Sequence, residues 1–169
     1  RVIDDKQIPV EHPTPGDTYT FGSASFTVLS PSKEYKDNNN NSIVIRLTYG
    51  DTTFLLTGDA EEEAEEDMLS SGLPLSADVL KLGHHGSSSS TSDDFLSAVD
   101  PTWAVISCAE GNKYGHPHAE TMNKLRAAGV SVFRTDEQGT ITATTDGTTI
   151  TWNASPSETW QTGEGRSSE

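Results

Sequence analysis

The chain has 169 residues, the length of a single domain, but only 32% of them are hydrophobic. Its 26 acidic and 11 basic residues give a net charge of −15. This balance excludes a protein that holds nucleic acid by a broad basic surface, because phosphates are matched by Lys and Arg. It does not exclude a nuclease whose metal ions supply the local positive charge.

Hydrophobic periodicity predicts a chain in which strands and helices alternate through the middle. The predicted strands are Thr18–Phe21, Ala24–Leu29, Ser42–Tyr49, Thr53–Thr57, Asp78–Leu82, Trp103–Ser107, Ser131–Arg134, Ile141–Thr145 and Thr149–Trp152. The predicted helices run from Asp59 to a stop at Gly72, over Asp93–Val99, and from Ala119 to a stop at Gly129. This order predicts an α/β fold with a mixed β-sheet flanked by helices, closed by a hairpin.

The strand Ser42–Tyr49 has the alternation of a strand with one buried face. Ile43, Ile45, Leu47 and Tyr49 occupy one side, and Val44, Arg46 and Thr48 the other. We therefore expect the side with Ile43 to face the core.

Two polar regions are predicted to be solvated. The acidic run of Glu61–Glu63, Glu65, Glu66 and Asp67 is typical of an exposed helix face. Residues 154–169 are rich in Ser, Thr, Glu and Gly, and we predict a flexible polar tail after a domain that ends at residue 153.

The sequence has no signal peptide or membrane segment, and it starts at Arg1 without Met, so we expect a piece of a larger protein.

Asp59 follows a buried strand in Thr57-Gly58-Asp59 and has two interpretations. With Glu62 three residues later, it has the pattern of a helix N-cap with its capping-box partner. This pattern favours the cap, but at the end of a strand in a layered α/β fold Asp59 is also placed to bind a metal. The sequence leaves both roles open.

His84 and His85 follow the next buried strand in Gly83-His84-His85-Gly86. In extended backbone, adjacent side chains point to opposite sides, so we expect one histidine to bind a metal and the other to contact phosphate or support the ligand. The alternative is a pair of histidines in a polar turn. The flanking glycines permit a close approach of backbone and substrate.

A third group of candidates lies in polar loops. His116 and His118 are two residues apart, a spacing that can chelate a metal, but we favour contact with substrate phosphate or general-acid catalysis, and the start of a helix is the alternative. The run Ser87–Ser90 either binds an oxyanion or forms a flexible loop. Asn41 ends a polar turn directly before a strand. Cys108, the single cysteine, lies in an apolar segment and is predicted to be a buried, inert thiol.

Taken in order, these segments resemble the metallo-β-lactamase domain of ComEC-type competence proteins. The matching segments are NNSIVIRLTYGDTTFLLTGDA, DVLKLGHHGSSSSTS, AVISCAEGNKYGHPHAETMNKLRAAGV and FRTDEQGTI, and they span roughly residues 16–147. The resemblance implies the second half of an αββα sandwich, and a hydrolase that holds two divalent ions, Zn or Mn, between its sheets.

The resemblance also implies roles for individual residues. Asp59 matches the acidic ligand that usually bridges the two metals, and His84 or His85 matches the last histidine ligand, with His85 favoured by the glycine that follows it. His116 and His118 match a signature near the metals, with a role in handling substrate or protons. Ser87 and Asn41 are two further candidates for contact with substrate.

The family's first half carries a His-x-(His/Asp)-x-Asp-His cluster that this sequence lacks. The missing N-terminal half, on the same or another chain, is therefore the expected partner, and the isolated chain is expected to be inactive. The complete domain is expected to cleave phosphodiesters, as a nuclease acting on DNA, in a bacterial protein that is extracytoplasmic or bound to the membrane through other parts. Two alternatives stay open: a phosphoesterase of small or cell-wall phosphate esters, and a metal-free scaffolding half-domain.

Overall fold

A computed structural model describes residues 1–163 of the chain. Its strands are β1 Thr18–Phe21, β2 Ala24–Ser30, β3 Val44–Tyr49, β4 Thr52–Leu56, β5 Val79–Lys81, β6 Trp103–Ile106, β7 Ser131–Arg134, β8 Ala143–Thr145 and β9 Ile150–Trp152. Its helices are α1 Val2–Asp5, α2 Glu62–Ser70, α3 Asp93–Val99, α4 Ala119–Ala127 and α5 Thr135–Gln138, with 3₁₀ turns at Asn39–Asn41 and Gly83–Gly86. Within this part of the chain, every helix is too short to cross a membrane.

The first seven strands form one sheet in the order of the chain, β1 to β7. Strands β1 to β4 are joined antiparallel, whereas β4 to β7 run parallel. Each parallel step is made through a helix, α2, α3 or α4, and successive right-handed crossovers in one direction put these helices on the same side of the sheet. The predicted α/β fold with a mixed sheet flanked by helices is confirmed.

The core lies between the sheet and these helices. Val44, Leu55 and Leu80 are fully buried and belong to one cluster with helix residues such as Met68 and Leu125. In β3 the side that carries Val44 therefore faces the core, and the prediction that the side with Ile43 does so is wrong.

Ile43, which was expected in the core, is 55% exposed. The reason is that α2, α3 and α4 cover the side of the sheet that carries Val44. On the opposite side, Leu47 and Phe54 are adjacent in register and half-buried, and Leu56 is 37% exposed. The hairpin of β8 and β9 covers one end of this side, where Trp152 stacks on Phe133 with ring centroids 4.0 Å apart.

The start of α2 corrects the capping prediction. Its N-cap is Glu61, two residues beyond Asp59, and the side chain of Glu61 makes no cap hydrogen bond. Asp59 stands outside the helix, where its backbone N–H donates to the hydroxyl of Ser42. The capping-box interpretation of Asp59 is wrong, and its carboxylate is left for another role.

The acidic run on α2 is only partly solvated, contrary to the prediction. Glu65 is 2% exposed, and its carboxylate accepts hydrogen bonds from the backbone N–H groups of Thr91 and Ser92 at 2.5 and 2.8 Å. Burial raises the pKa of Glu65, and these hydrogen bonds oppose the shift. The carboxylate thereby ties α2 to the end of the loop that follows β5.

The described part of the predicted tail, residues 154–163, makes contacts that its composition did not predict. Trp160 packs against the core cluster, Ser157 donates its backbone N–H to Val132, and Gly163 donates its own to Pro117. The buried Arg134 donates to the carbonyl of Gln161. Residues 164–169 lie outside the described residues, and the domain boundary at residue 153 stays a prediction.

We expect Glu65→Ala to lower the free energy of unfolding by about 3 kcal/mol, because two N–H groups in a buried setting lose their acceptor. Glu66→Ala, on the exposed neighbour in the same helix, is the matched control and should change it by less than about 0.5 kcal/mol. Urea denaturation of both variants measures the difference. Equal losses of stability in the two variants would show that the hydrogen bonds of Glu65 do not hold the loop to α2.

Candidate functional site

The parallel strands bring three functional segments to one edge of the sheet. Thr57-Gly58-Asp59 follows β4, the turn Gly83–Gly86 follows β5, and Ser107 follows β6. Because β4, β5 and β6 are parallel, their carboxyl ends meet at the same edge, which is the usual location of sites in layered α/β folds.

The turn Gly83–Gly86 has a conformation that the sequence did not predict. His84 and His85 both adopt left-handed backbone angles, with φ of 43° and 58°, where extended backbone had been assumed. Such angles cost about 1 kcal/mol or more for a residue with a side chain. The two rings consequently do not point to opposite sides of a strand, and their centroids are 6.2 Å apart.

Contacts within the protein require the flanking glycines. The sequence analysis had instead explained them by a close approach of substrate. A Cβ on Gly83 would lie 2.6 Å from the carbonyl oxygen of Ala60, and one on Gly86 would lie 2.9 Å from the Cβ of Pro117. The turn is therefore packed tightly between the start of α2 and the loop before α4.

His85 is oriented as a ligand would be. Its Nδ1–H donates to the carbonyl of Ser107 at 2.6 Å, which leaves a lone pair on Nε2. That Nε2 lies 3.5 Å from Oδ1 of Asp59, and both side chains are more than 40% exposed. Histidines that bind metals commonly donate their second nitrogen to a carbonyl in this way.

His84 is paired with a carboxylate instead. Its Nδ1 lies 2.7 Å from Oε1 of Glu61, which also accepts from the hydroxyl of Ser89 at 2.7 Å and the amide of Asn39 at 3.3 Å. Glu61 was assigned to the solvated helix face, so sequence analysis missed this functional residue. The sequence did offer one signal for a site residue here: Glu61 lies close after the end of strand β4, between Gly58 and the start of α2.

His116 lies against both histidines. It is 5% exposed, and its ring centroid is 5.3 Å from that of His84 and 6.3 Å from that of His85. Burial and the neighbouring histidines lower the pKa of His116 to about 4, against the opposing effect of Asp59. The ring is therefore neutral at neutral pH, which argues against its predicted role as a resident general acid.

His118 is engaged at both ring nitrogens. Nδ1 accepts from the backbone N–H of Ser88 at 3.0 Å, so the proton is on Nε2, which donates to the carbonyl of Tyr114 at 3.0 Å. The ring is a bridge between the loop after β5 and the loop before α4. It holds the two loops together and has no nitrogen left for a substrate.

Two further candidates do not present free groups at the site. Ser87 is 5% exposed and its hydroxyl bonds to that of Ser89. The side chain of Asn41 is bonded to the backbone of Tyr35 and Asp37, as a polar turn requires. Cys108, predicted to be buried and inert, is only partly buried, and desolvation raises the pKa of its thiol to about 12, so little thiolate is present at neutral pH.

The donors fit part of a metal centre. Asp59 Oδ1 and His85 Nε2 are of the type that Zn or Mn accepts, and they are adjacent and exposed on one side. Among residues 1–163, however, the His, Cys, Asp and Glu side chains include no group of three or more arranged to hold an ion. Since a divalent ion takes four to six ligands, an ion held by this pair would need most of its ligands from other groups.

Comparison with known proteins relates the chain to bacterial competence proteins. No protein-family model matches it. It is 37% identical over 135 residues to ComE operon protein 3 of Bacillus subtilis, covering 79% of this chain and 17% of that protein. It is 38% identical over 125 residues to competence protein ComA of Neisseria gonorrhoeae, covering 73% and 18%. Recombination protein 2 of Haemophilus influenzae is 35% identical over 129 residues, covering 76% and 16%.

Fold and site together define an α/β domain with an acid–histidine site at the carboxyl edge of parallel strands. The names of its relatives support a ComEC-type competence-protein family for this domain. The chain spans about one sixth of the length of the curated relatives it matches.

The protonation of His116 is testable by NMR titration of the metal-free protein. The unfolded chain binds this proton near pH 6.5, so the stability associated with a neutral His116 is complete above that pH and is lost as the pH falls toward 4. We expect the ring signals of His116 to titrate with a midpoint of about pH 4. A midpoint near the ordinary value of 6.5 would contradict a neutral, desolvated ring.

Proposed function

We propose that this chain is part of a metal-dependent hydrolase that cleaves phosphodiester bonds, a ComEC-like nuclease acting on DNA during uptake. The single observation that carries the proposal is the proximity of Asp59 Oδ1 to His85 Nε2, 3.5 Å apart, with Nδ1 of His85 bonded to the carbonyl of Ser107. The names of the relatives, which refer to competence and recombination, support DNA as the substrate.

The proposed site works with two divalent ions, Zn or Mn, when the domain is complete. Such ions lower the pKa of water and offset the charge that develops on phosphate. Asp59 and His85 contribute ligands from this chain. The hydrogen bond from His85 to Ser107 keeps the ring in the tautomer that has a lone pair on Nε2.

His84 and Glu61 contribute a proton acceptor. With Nδ1–H donated to the carboxylate, the Nε2 of His84 is free to take a proton, and Glu61 stabilises the resulting imidazolium. The neutral ring of His116, packed beside His84, has one N–H to donate to a substrate oxygen. His118 and Glu65 act at a distance, because they hold the loops that carry these side chains.

The remaining ligands belong, in this proposal, to the N-terminal half of a metallo-β-lactamase αββα sandwich. The side of the sheet away from α2, α3 and α4 supports a further layer, since it carries the half-buried Leu47 and Phe54 and the exposed Leu56. Apolar surface of this kind is typically covered by a partner. Attachment to the bacterial membrane would then come from parts of the protein outside this chain.

One alternative has a specific observation in its favour. The net charge of −15 favours a small or cell-wall phosphate ester over a polyanionic strand. Binding of nucleic acid weakens steeply with salt, whereas turnover of a small ester does not. A salt titration of hydrolysis by the natural full-length protein separates these substrates.

The metal assignment is tested by three variants of the full-length protein. His85→Ala and Asp59→Asn should lose both bound metal and phosphodiester hydrolysis, the latter by orders of magnitude. His84→Ala should lose about 100-fold or more in rate while metal is retained, because His84 handles a proton. Metal content by mass spectrometry and initial rates provide the two measurements.

Stability of the metal-free forms is the control. Since Asp59 is not the helix cap, Asp59→Asn should change the free energy of unfolding by less than about 1 kcal/mol. Equal metal loss in His84→Ala and His85→Ala would contradict the division of roles. Full metal content and rate in Asp59→Asn would contradict the metallohydrolase.

A further inference from the structure

An open cavity of about 460 Å³ lies beside the candidate metal ligand His85. His85 and His116 form its wall on the side of the site, and the remainder is lined by Ser107, Cys108, Ala109, Asn112 and Tyr114. This volume is in the range of pockets that hold small organic groups. The cavity is therefore continuous with the site and large enough for part of a substrate.

The rings around the cavity share one orientation. The planes of His85 and His116 differ by 23°, and those of His116 and Tyr114 by 21°, with the latter centroids 5.7 Å apart. A flat ring that enters parallel to them can stack, and offset stacking is the favoured arrangement of aromatic pairs. Parallel rings of this kind favour a planar group, which can stack on an exposed ring face.

The loop that carries Tyr114 holds its ring in an exposed position. The ring is 64% exposed. Asn112 fixes the backbone around it, because its amide donates to the carbonyls of Ala109 and His116 and its oxygen accepts from the N–H groups of Tyr114 and His116. An exposed aromatic ring on a fixed backbone is pre-organised to bind, since little conformational freedom is lost on contact.

Lys113 adds a positive charge at the same position. Its Nζ lies over one face of the Tyr114 ring, 4.9 Å from the centroid, in a chain whose net charge is −15. A cation next to an aromatic ring is the combination that proteins use to bind single strands, with the ring against a base and the cation near phosphate.

We propose that this cavity binds a nucleobase of an unpaired DNA strand, next to the phosphodiester at Asp59 and His85. The proposal rests on the proposed nuclease function and specifies its substrate as single-stranded at the point of cleavage. A base within a duplex is stacked on both faces, so it cannot reach the ring of Tyr114 from the cavity without being extruded.

The test is the binding of an oligothymidylate with one internal 2-aminopurine to the natural full-length protein, with EDTA present to prevent hydrolysis. Stacking on Tyr114 quenches the fluorescence of the 2-aminopurine. Tyr114→Ala should abolish most of the quench and weaken binding about 10-fold, and Tyr114→Phe should retain both, because the ring is kept. Phe21→Ala, which removes an exposed aromatic on β1, is the matched control and should leave both unchanged.

Two further substrates complete the test. Replacing the 2-aminopurine with an abasic residue should weaken binding to the wild type and remove the effect of Tyr114→Ala. A fully paired duplex should bind equally to both proteins. An effect of Tyr114→Ala that is the same on abasic, paired and unpaired strands, or a quench that survives it, would overturn the base site.

Failure of the base site and failure of the nuclease are distinguishable. A wild type that quenches 2-aminopurine through Tyr114 but hydrolyses no phosphodiester with Zn or Mn contradicts the proposed function alone. A wild type that hydrolyses DNA with Tyr114→Ala equally active and equally quenched contradicts the base site alone.

Discussion

The turn Gly83–Gly86 is the constraint on which the candidate site depends. Two consecutive residues with side chains, His84 and His85, are held at left-handed backbone angles that an isolated peptide would avoid. Neighbouring segments maintain this turn, since the backbone N–H of His84 donates to Gly58 and the carbonyl of Gly86 accepts from His118. The strain is therefore compensated by packing against the segments that carry the other site residues.

The same turn explains why the two histidines have different partners. His84 reaches back to the start of α2 and bonds to Glu61, whereas His85 reaches across to Ser107 after β6. Each ring uses Nδ1 for the protein and keeps Nε2 available. One adjacent pair thus supplies a candidate ligand and a candidate proton acceptor.

Much of the fold could be predicted from local patterns in the sequence. Alternation and turn residues located the strands and the three longer helices to within a few residues, because those patterns depend on neighbours along the chain. The buried side of β3 could not be predicted, since both of its sides carry apolar residues and only the helices decide which one is covered.

The candidate site was harder to predict for a related reason. Asp59, the two adjacent histidines and His116 were identified by residue type at the ends of strands, and these do converge. Glu61 and Glu65 were missed because an acidic run has the composition of a solvated face, and only tertiary contacts separate its buried members from the exposed Glu66. His118 was taken for a functional group because its partners, Ser88 and Tyr114, lie in loops whose approach the sequence does not encode locally.

The central claim is that this domain contributes Asp59 and His85, and not His84, to a metal centre completed by other parts of the protein. The most direct measurement is anomalous X-ray scattering at the manganese edge from crystals of the natural full-length protein grown with Mn²⁺. The account predicts an anomalous peak in contact with the carboxylate of Asp59 and Nε2 of His85, with further ligands from outside this chain. A peak that contacts His84 in place of His85, or one that contacts neither Asp59 nor His85, would contradict it.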